Sequence, residues 1–185
     1  GGIVWYRNWL YVPQTGSGFR VFDLNQIIEL PTDRDDNFIG RNSDGQLSAF
    51  NYRYVIPEVA RYYSCPTCCC VRFSYVSLVN DNAYPRLVSG EFTEDDNKTG
   101  RFFQWQLDPE TGLLKEAGYT GLIDAETVTF SNLKGLQGVA WQNARYWTTA
   151  NYDEFSFNHT GWLYSGRTSS SGASDIVAHS SIGGV

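Results

Sequence analysis

The chain has 185 residues and a mass of 20.9 kDa, with 14 basic against 20 acidic side chains and no methionine. A net charge of −6 with no compensating basic run argues against a phosphate backbone as partner, so no nucleic acid is expected. A charged share of 18% beside an aromatic share of 16% argues for a folded core, and no apolar run approaches the roughly 18 residues of a membrane span.

In chain order, strand signals fall at Trp9–Val12, Phe19–Leu24, Gln46–Phe50, Arg72–Leu78, Arg101–Leu107 and Tyr146–Thr149, several of them alternating with period two. Turn clusters separate them at Gln14–Gly18, Arg41–Gly45, Asp95–Gly100 and Asp108–Gly112. The best helix candidate is the short stretch Ile56–Tyr62, whose proline suits only a first turn. The expectation is an all-β chain of antiparallel hairpins.

A weak repeat runs through these hairpins. Gly2-Ile3-Val4-Trp5, Asn8, Leu10-Tyr11-Val12 and Gly18-Phe19-Arg20-Val21-Phe22 match Gly138-Val139-Ala140-Trp141, Asn143, Tyr146-Trp147-Thr148 and Gly161-Trp162-Leu163-Tyr164. Leu87–Phe92 followed by Gly100–Trp105 supplies a third copy of the second half. Units of about 40 residues are the size of a four-stranded propeller blade. The length then holds four to five antiparallel four-stranded blades, an incomplete β-propeller-like set.

All four cysteines, Cys65, Cys68, Cys69 and Cys70, lie within six positions and can staple only one loop. Disulfides are the favoured reading. A thiolate metal site is disfavoured because such sites draw a second pair from a distant segment, and a redox motif because a strand, not a helix, follows. Two N-glycosylation sequons, at Asn97 and Asn158, sit in polar turns beside a glycine. With few lysines and clustered cysteines they predict a secreted, extracellular glycoprotein.

From Gly2 to Tyr164 the chain resembles a family of secreted, largely uncharacterised β-propeller-like proteins of filamentous fungi and actinomycete bacteria. The residues that carry the resemblance are Gly2–Trp5 with Leu10–Val12, Thr15–Leu24, Tyr52–Pro57, Arg72–Leu78, Leu87–Phe92 with Gly100-Arg101, and Leu136–Gly138. The triple cysteine departs from that pattern. The resemblance implies a single β-propeller-like domain over residues 1–185, cut at both ends, with a missing segment or a neighbouring chain completing it. It brings no settled activity.

Catalysis by histidine is not expected from His159 in a sequon or His179 in a Ser/Gly-rich tail, and no nucleophile elbow, phosphate loop or zinc-protease motif is present. Carboxylate and amide chemistry remains. Glu91 ends an apolar strand, where a charge needs a cation or a cavity, and Arg72 and Arg53 are its expected partners. Gln137, with Asp23, is the other inward-looking polar candidate. Two roles compete for this set: a channel site binding a polar ligand, or an Arg/Glu pair that holds neighbouring blades in register. The run Asp33–Asn37 is acidic enough for calcium but lacks EF-hand spacing, so no cofactor is expected.

Exposed rings near turns would stack on sugars, and the candidates are Trp5, Tyr6, Trp9, Tyr63, Tyr84, Trp147 and Trp162. The leading functional expectation is a binding or surface module with a glycan ligand. The alternatives are a polysaccharide lyase or hydrolase, with Glu91 as acid or base and Arg72 or Arg53 neutralising a uronate, and a self-associating structural subunit.

Overall fold

The structure is a computed structural model that describes residues 1–32, 37–64, 71–80, 84–93, 100–151, 161–169 and 172–182. In chain order the strands are β1 (Val4–Tyr6), β2 (Trp9–Gln14), β3 (Gly18–Asp23), β4 (Ile28–Glu29), β5 (Ile39–Arg41), β6 (Leu47–Ala49), β7 (Tyr54–Val55) and β8 (Glu58–Tyr63). They continue as β9 (Phe73–Asn80), β10 (Pro85–Glu91), β11 (Arg101–Gln106), β12 (Thr127–Phe130), β13 (Leu136–Gln142), β14 (Arg145–Asn151), β15 (Gly161–Ser169) and β16 (Gly172–Ile182). One 3-10 turn, Leu24–Gln26, is the sole helical element among the described residues.

The all-β expectation holds, and the strands form three four-stranded antiparallel sheets. Sheet one has the order β1-β2-β3-β8, sheet two β12-β11-β10-β9 and sheet three β13-β14-β15-β16. Two small ladders, β4 with β7 and β5 with β6, form an arm between β3 and β8. This arm and the long β11–β12 connection use chain length that a count of units from length alone assigns to further sheets.

Ile56–Tyr62 is not helical: β8 pairs with β3 from Gly18↔Tyr63 to Phe22↔Glu58. The pairing satisfies the backbone groups of both strands and buries Tyr62, which outweighs any local preference of so short a segment. A bulge at Val59 absorbs one extra residue.

The repeat is visible in the hairpins. β1 and β13 open their sheets and turn through two residues each, Arg7-Asn8 and Asn143-Ala144. Asn143 and Ala144 both have positive φ, as a primed hairpin turn requires. The sheets stack in series, with β9 packed against both β1 and β13.

Between sheets one and two lies a core built on Tyr11, Phe19, Val21, Phe73, Leu87 and Trp105, all at most 2% exposed. Phe19 meets Phe73 edge-on at 4.8 Å, and the Trp105 indole N–H donates to Ser89 Oγ at 2.8 Å, so its polar atom is satisfied. Burial of one such side chain, Leu87 for example, is worth about 1.5–3 kcal/mol. Between sheets two and three, Tyr75, Val79, Val88 and Phe102 pack on Leu136, Val139, Tyr146 and Ala150. Here two tyrosines lie flat over cross-strand glycines, Tyr75 over Gly90 and Tyr146 over Gly166.

The β1–β2 hairpin grips a turn about a hundred residues away. Asp108 Oδ1 accepts from the amides of Glu110 and Thr111, closing the turn 108–112 on itself. Arg7 donates to the carbonyls of Pro109 and Glu110, Trp9 to that of Thr111 at 2.8 Å, and the buried Tyr11 hydroxyl to that of Gly112. Four successive carbonyls are thus held by three side chains.

Candidate functional site

The carboxylate of Glu91 is fully engaged, but by neither expected arginine. The β10–β11 register sets Gly90 opposite Phe102, which brings Glu91 to Arg101. Arg101 Nε donates to Oε2 at 2.6 Å and a terminal nitrogen to Oε1 at 2.7 Å, a two-pronged pair whose acid is only 12% exposed. Arg72 contributes its backbone N–H to Oε1 at 3.1 Å, not its guanidinium. The pair joins adjacent strands of one sheet. A carboxylate held by three donors from the protein is a poor free acid or base.

Arg53 lies elsewhere, on the arm, where it donates to Glu29 Oε1 through Nε at 2.9 Å and through a terminal nitrogen at 2.7 Å, with both side chains well exposed. Gln137 is the extra residue of a bulge between Leu136 and Gly138 and is exposed on the edge strand β13. Leu136 packs at Gly100, next to Arg101, while the exposed Gln137 makes no hydrogen bond to the Glu91 pair. Asp23 caps the 3-10 turn: Oδ1 accepts from Asn25 N at 2.9 Å and Oδ2 from the Gln26 amide at 2.7 Å. It lines no cavity.

Most of the candidate rings have structural employment. Trp9 holds the 108–112 turn, Tyr6 lies against Gly112, and Tyr84 donates to Glu126. Trp147 is half-buried and stacked on the His179 ring at 5.0 Å, while His179 Nε2 sits 2.7 Å from the buried Ser165 Oγ. Trp162 is half-buried, and Tyr63 binds the 121–123 segment through its backbone. Trp5 alone of the tryptophan candidates is freely exposed, with its indole N–H donating to the Arg7 carbonyl at 2.5 Å. Asn97, Asn158, the cysteines Cys65, Cys68, Cys69 and Cys70, and positions 33–36 of the acidic run lie outside the described residues. Among the described residues no group of three or more His, Cys, Asp or Glu is placed to hold a metal.

Tyr119 and Phe130 are exposed too, at 75% and 52%, and three further exposed rings lie together in sequence on the arm. Phe50, Tyr52 and Tyr54 are 49%, 70% and 56% exposed, and Arg53 lies over the Tyr54 ring at 5.4 Å while paired to Glu29. Phe50 and Asn51 both have positive φ, closed by a bond from Tyr52 N to Ala49 O at 2.8 Å. A bulky residue in the left-handed region costs about 1–2 kcal/mol. Sequence reasoning missed these rings as stacking candidates. The available signal was two tyrosines flanking an arginine, Tyr52-Arg53-Tyr54, directly after a turn.

The arm therefore presents exposed aromatic rings beside an exposed ion pair. No protein-family model, curated protein or solved structure matches the chain.

Proposed function

We propose that the chain is an extracellular β-propeller-like module that binds carbohydrate on the arm between β3 and β8, with its three sheets as consecutive blades. Three antiparallel four-stranded sheets stacked through their first strands support the blade reading. The observation that carries the ligand class is the exposure of Phe50, Tyr52 and Tyr54 with the Arg53–Glu29 pair beside Tyr54. A pyranose offers an apolar face to such rings and hydroxyls to the flanking charges. The engaged carboxylate of Glu91 favours a binding role over a lyase or hydrolase role.

The test is retention on immobilised polysaccharides and a glycan array. The wild-type chain is expected to bind, and Tyr52→Ala with Tyr54→Ala to weaken binding about tenfold or more. Absence of retention above background, or retention indifferent to the double substitution, removes the reading. Intact mass of the secreted chain before and after reduction tests glycans at Asn97 and Asn158 and disulfides among the cysteines.

A further inference from the structure

Each four-stranded sheet has two faces, and the pairing shows which is covered. In sheet one the row Val4–Tyr11–Val21–Ala60 packs against sheet two, and the row Trp5–Leu10–Phe22 faces the other way. In the first two strands of sheet three the rows matched by the repeat exchange roles. Trp141–Tyr146–Gly166 packs against sheet two, whereas Ala140–Trp147–Ser165–Val177 faces away.

The internal repeat makes this comparison specific. Ile3 and Trp5, at 65% and 70% exposure, occupy the positions of Val139, at 7%, and Trp141, which packs on the core beneath it. Val4, buried in sheet one, corresponds to Ala140, which is exposed in sheet three. The open face of sheet one is thus of the kind that sheet three buries against sheet two. The open face of sheet three is of the kind that sheet one buries against sheet two. On these faces Trp5, Ala140 and Val177 are exposed, Leu10, Phe22 and Trp147 are half-buried, and Ser165 is covered by His179 of the same sheet.

We infer that these two faces meet between copies of the chain: the Trp5–Leu10–Phe22 face of one copy receives the Trp147–Val177 face of a second, extending the stack of sheets. The partner is a second copy because the chain itself carries both complementary faces. The contact is head-to-tail, so it propagates until a ring closes or a filament grows. Glu58, bridged to Arg20 and Arg61, lies at the margin of the apolar row, where a polar rim belongs. The inference rests on the stacking of the sheets and is independent of the carbohydrate reading.

Sedimentation velocity of the 185-residue chain across a dilution series tests it. The wild type is expected to form species larger than a monomer, and Trp5→Arg and Val177→Asp each to weaken association about thirtyfold. The decisive arm mixes the two variants: each keeps the face the other has lost, so the mixture forms a 1:1 dimer that neither makes alone. That dimer also shows that both variants fold. A wild type that stays monomeric, association unaffected by either substitution, or a mixture that does not pair overturns the inference. None of these outcomes bears on glycan retention, which is measured separately.

Discussion

Gly112 and Gly16 share one backbone conformation, φ near +77°, but not one environment, and alanine at each separates two costs. At Gly16 a new methyl group meets nothing within 4 Å. At Gly112 it lies 2.9 Å from Arg7 Cδ, 3.2 Å from Tyr6 Cε1 and 3.3 Å from Trp9 Cδ1. Both variants bear the left-handed penalty of about 1–2 kcal/mol, and both gain the same small entropic benefit in the unfolded chain, so these cancel in the comparison. Gly112→Ala must also displace Arg7, Tyr6 and Trp9, two of which hold the 108–112 carbonyls, an overpacking cost of about 1–3 kcal/mol. Urea unfolding should therefore place Gly112→Ala about 1–3 kcal/mol below Gly16→Ala at equal slope, or about 2–4 °C lower in Tm per kcal/mol. Faster amide exchange confined to residues 108–113 should accompany it. Equal destabilisation of the two variants, within about 0.5 kcal/mol, refutes the claim that the β1–β2 hairpin grips this turn.

Glu91→Gln breaks a charge-assisted pair with Arg101 and should lower stability by about 1–3 kcal/mol in urea while leaving glycan retention unchanged; unchanged stability with lost retention would reverse that assignment. Arg61 and Arg20, each hydrogen-bonded to Glu58, hold its carboxyl below the usual range. The stability it contributes is present above the ordinary carboxylate pKa and lost as pH falls through the lowered value. Glu58→Gln should flatten the acid side of a Tm against pH curve, and an identical acid limb speaks against the pair. Burial pushes the Tyr146 hydroxyl up to about 12 and those of Tyr11 and Tyr75 higher still. The unfolded chain loses these protons near pH 10 while the folded chain keeps them, so stability falls as pH rises from about 10 toward 12. Tyrosinate absorbance should show a group that ionises only on unfolding; full ionisation of a folded chain at pH 11 contradicts this.

The alternating strands β2, β3 and β14 were legible from their period, and β9 and β11, covered on both faces, from their β-branched and aromatic residues. β8 was not, because Glu58–Tyr63 alternates weakly and takes its structure from pairing with β3. Glu91 was legible as a charge in need of a cation, but its partner depends on register: only the β10–β11 pairing puts Arg101, ten residues on, directly across from it. The grip of Arg7, Trp9 and Tyr11 on the 108–112 turn spans about a hundred residues and leaves no local trace in sequence. Asp23 read as an inward polar group because its burial was foreseen and its use as a cap was not.

Gly90 and Gly166 do not have left-handed backbones, and glycine stands there only because a tyrosine ring fills the space a side chain would need. These glycines are sockets, not hinges. The consequence is hereditary: neither member of Tyr75–Gly90 or Tyr146–Gly166 can drift alone, since a larger residue in the socket requires a smaller one above it. Descendants of this chain should change such positions in pairs, and a designer replacing strand glycines with alanine to gain rigidity should lose stability at these two.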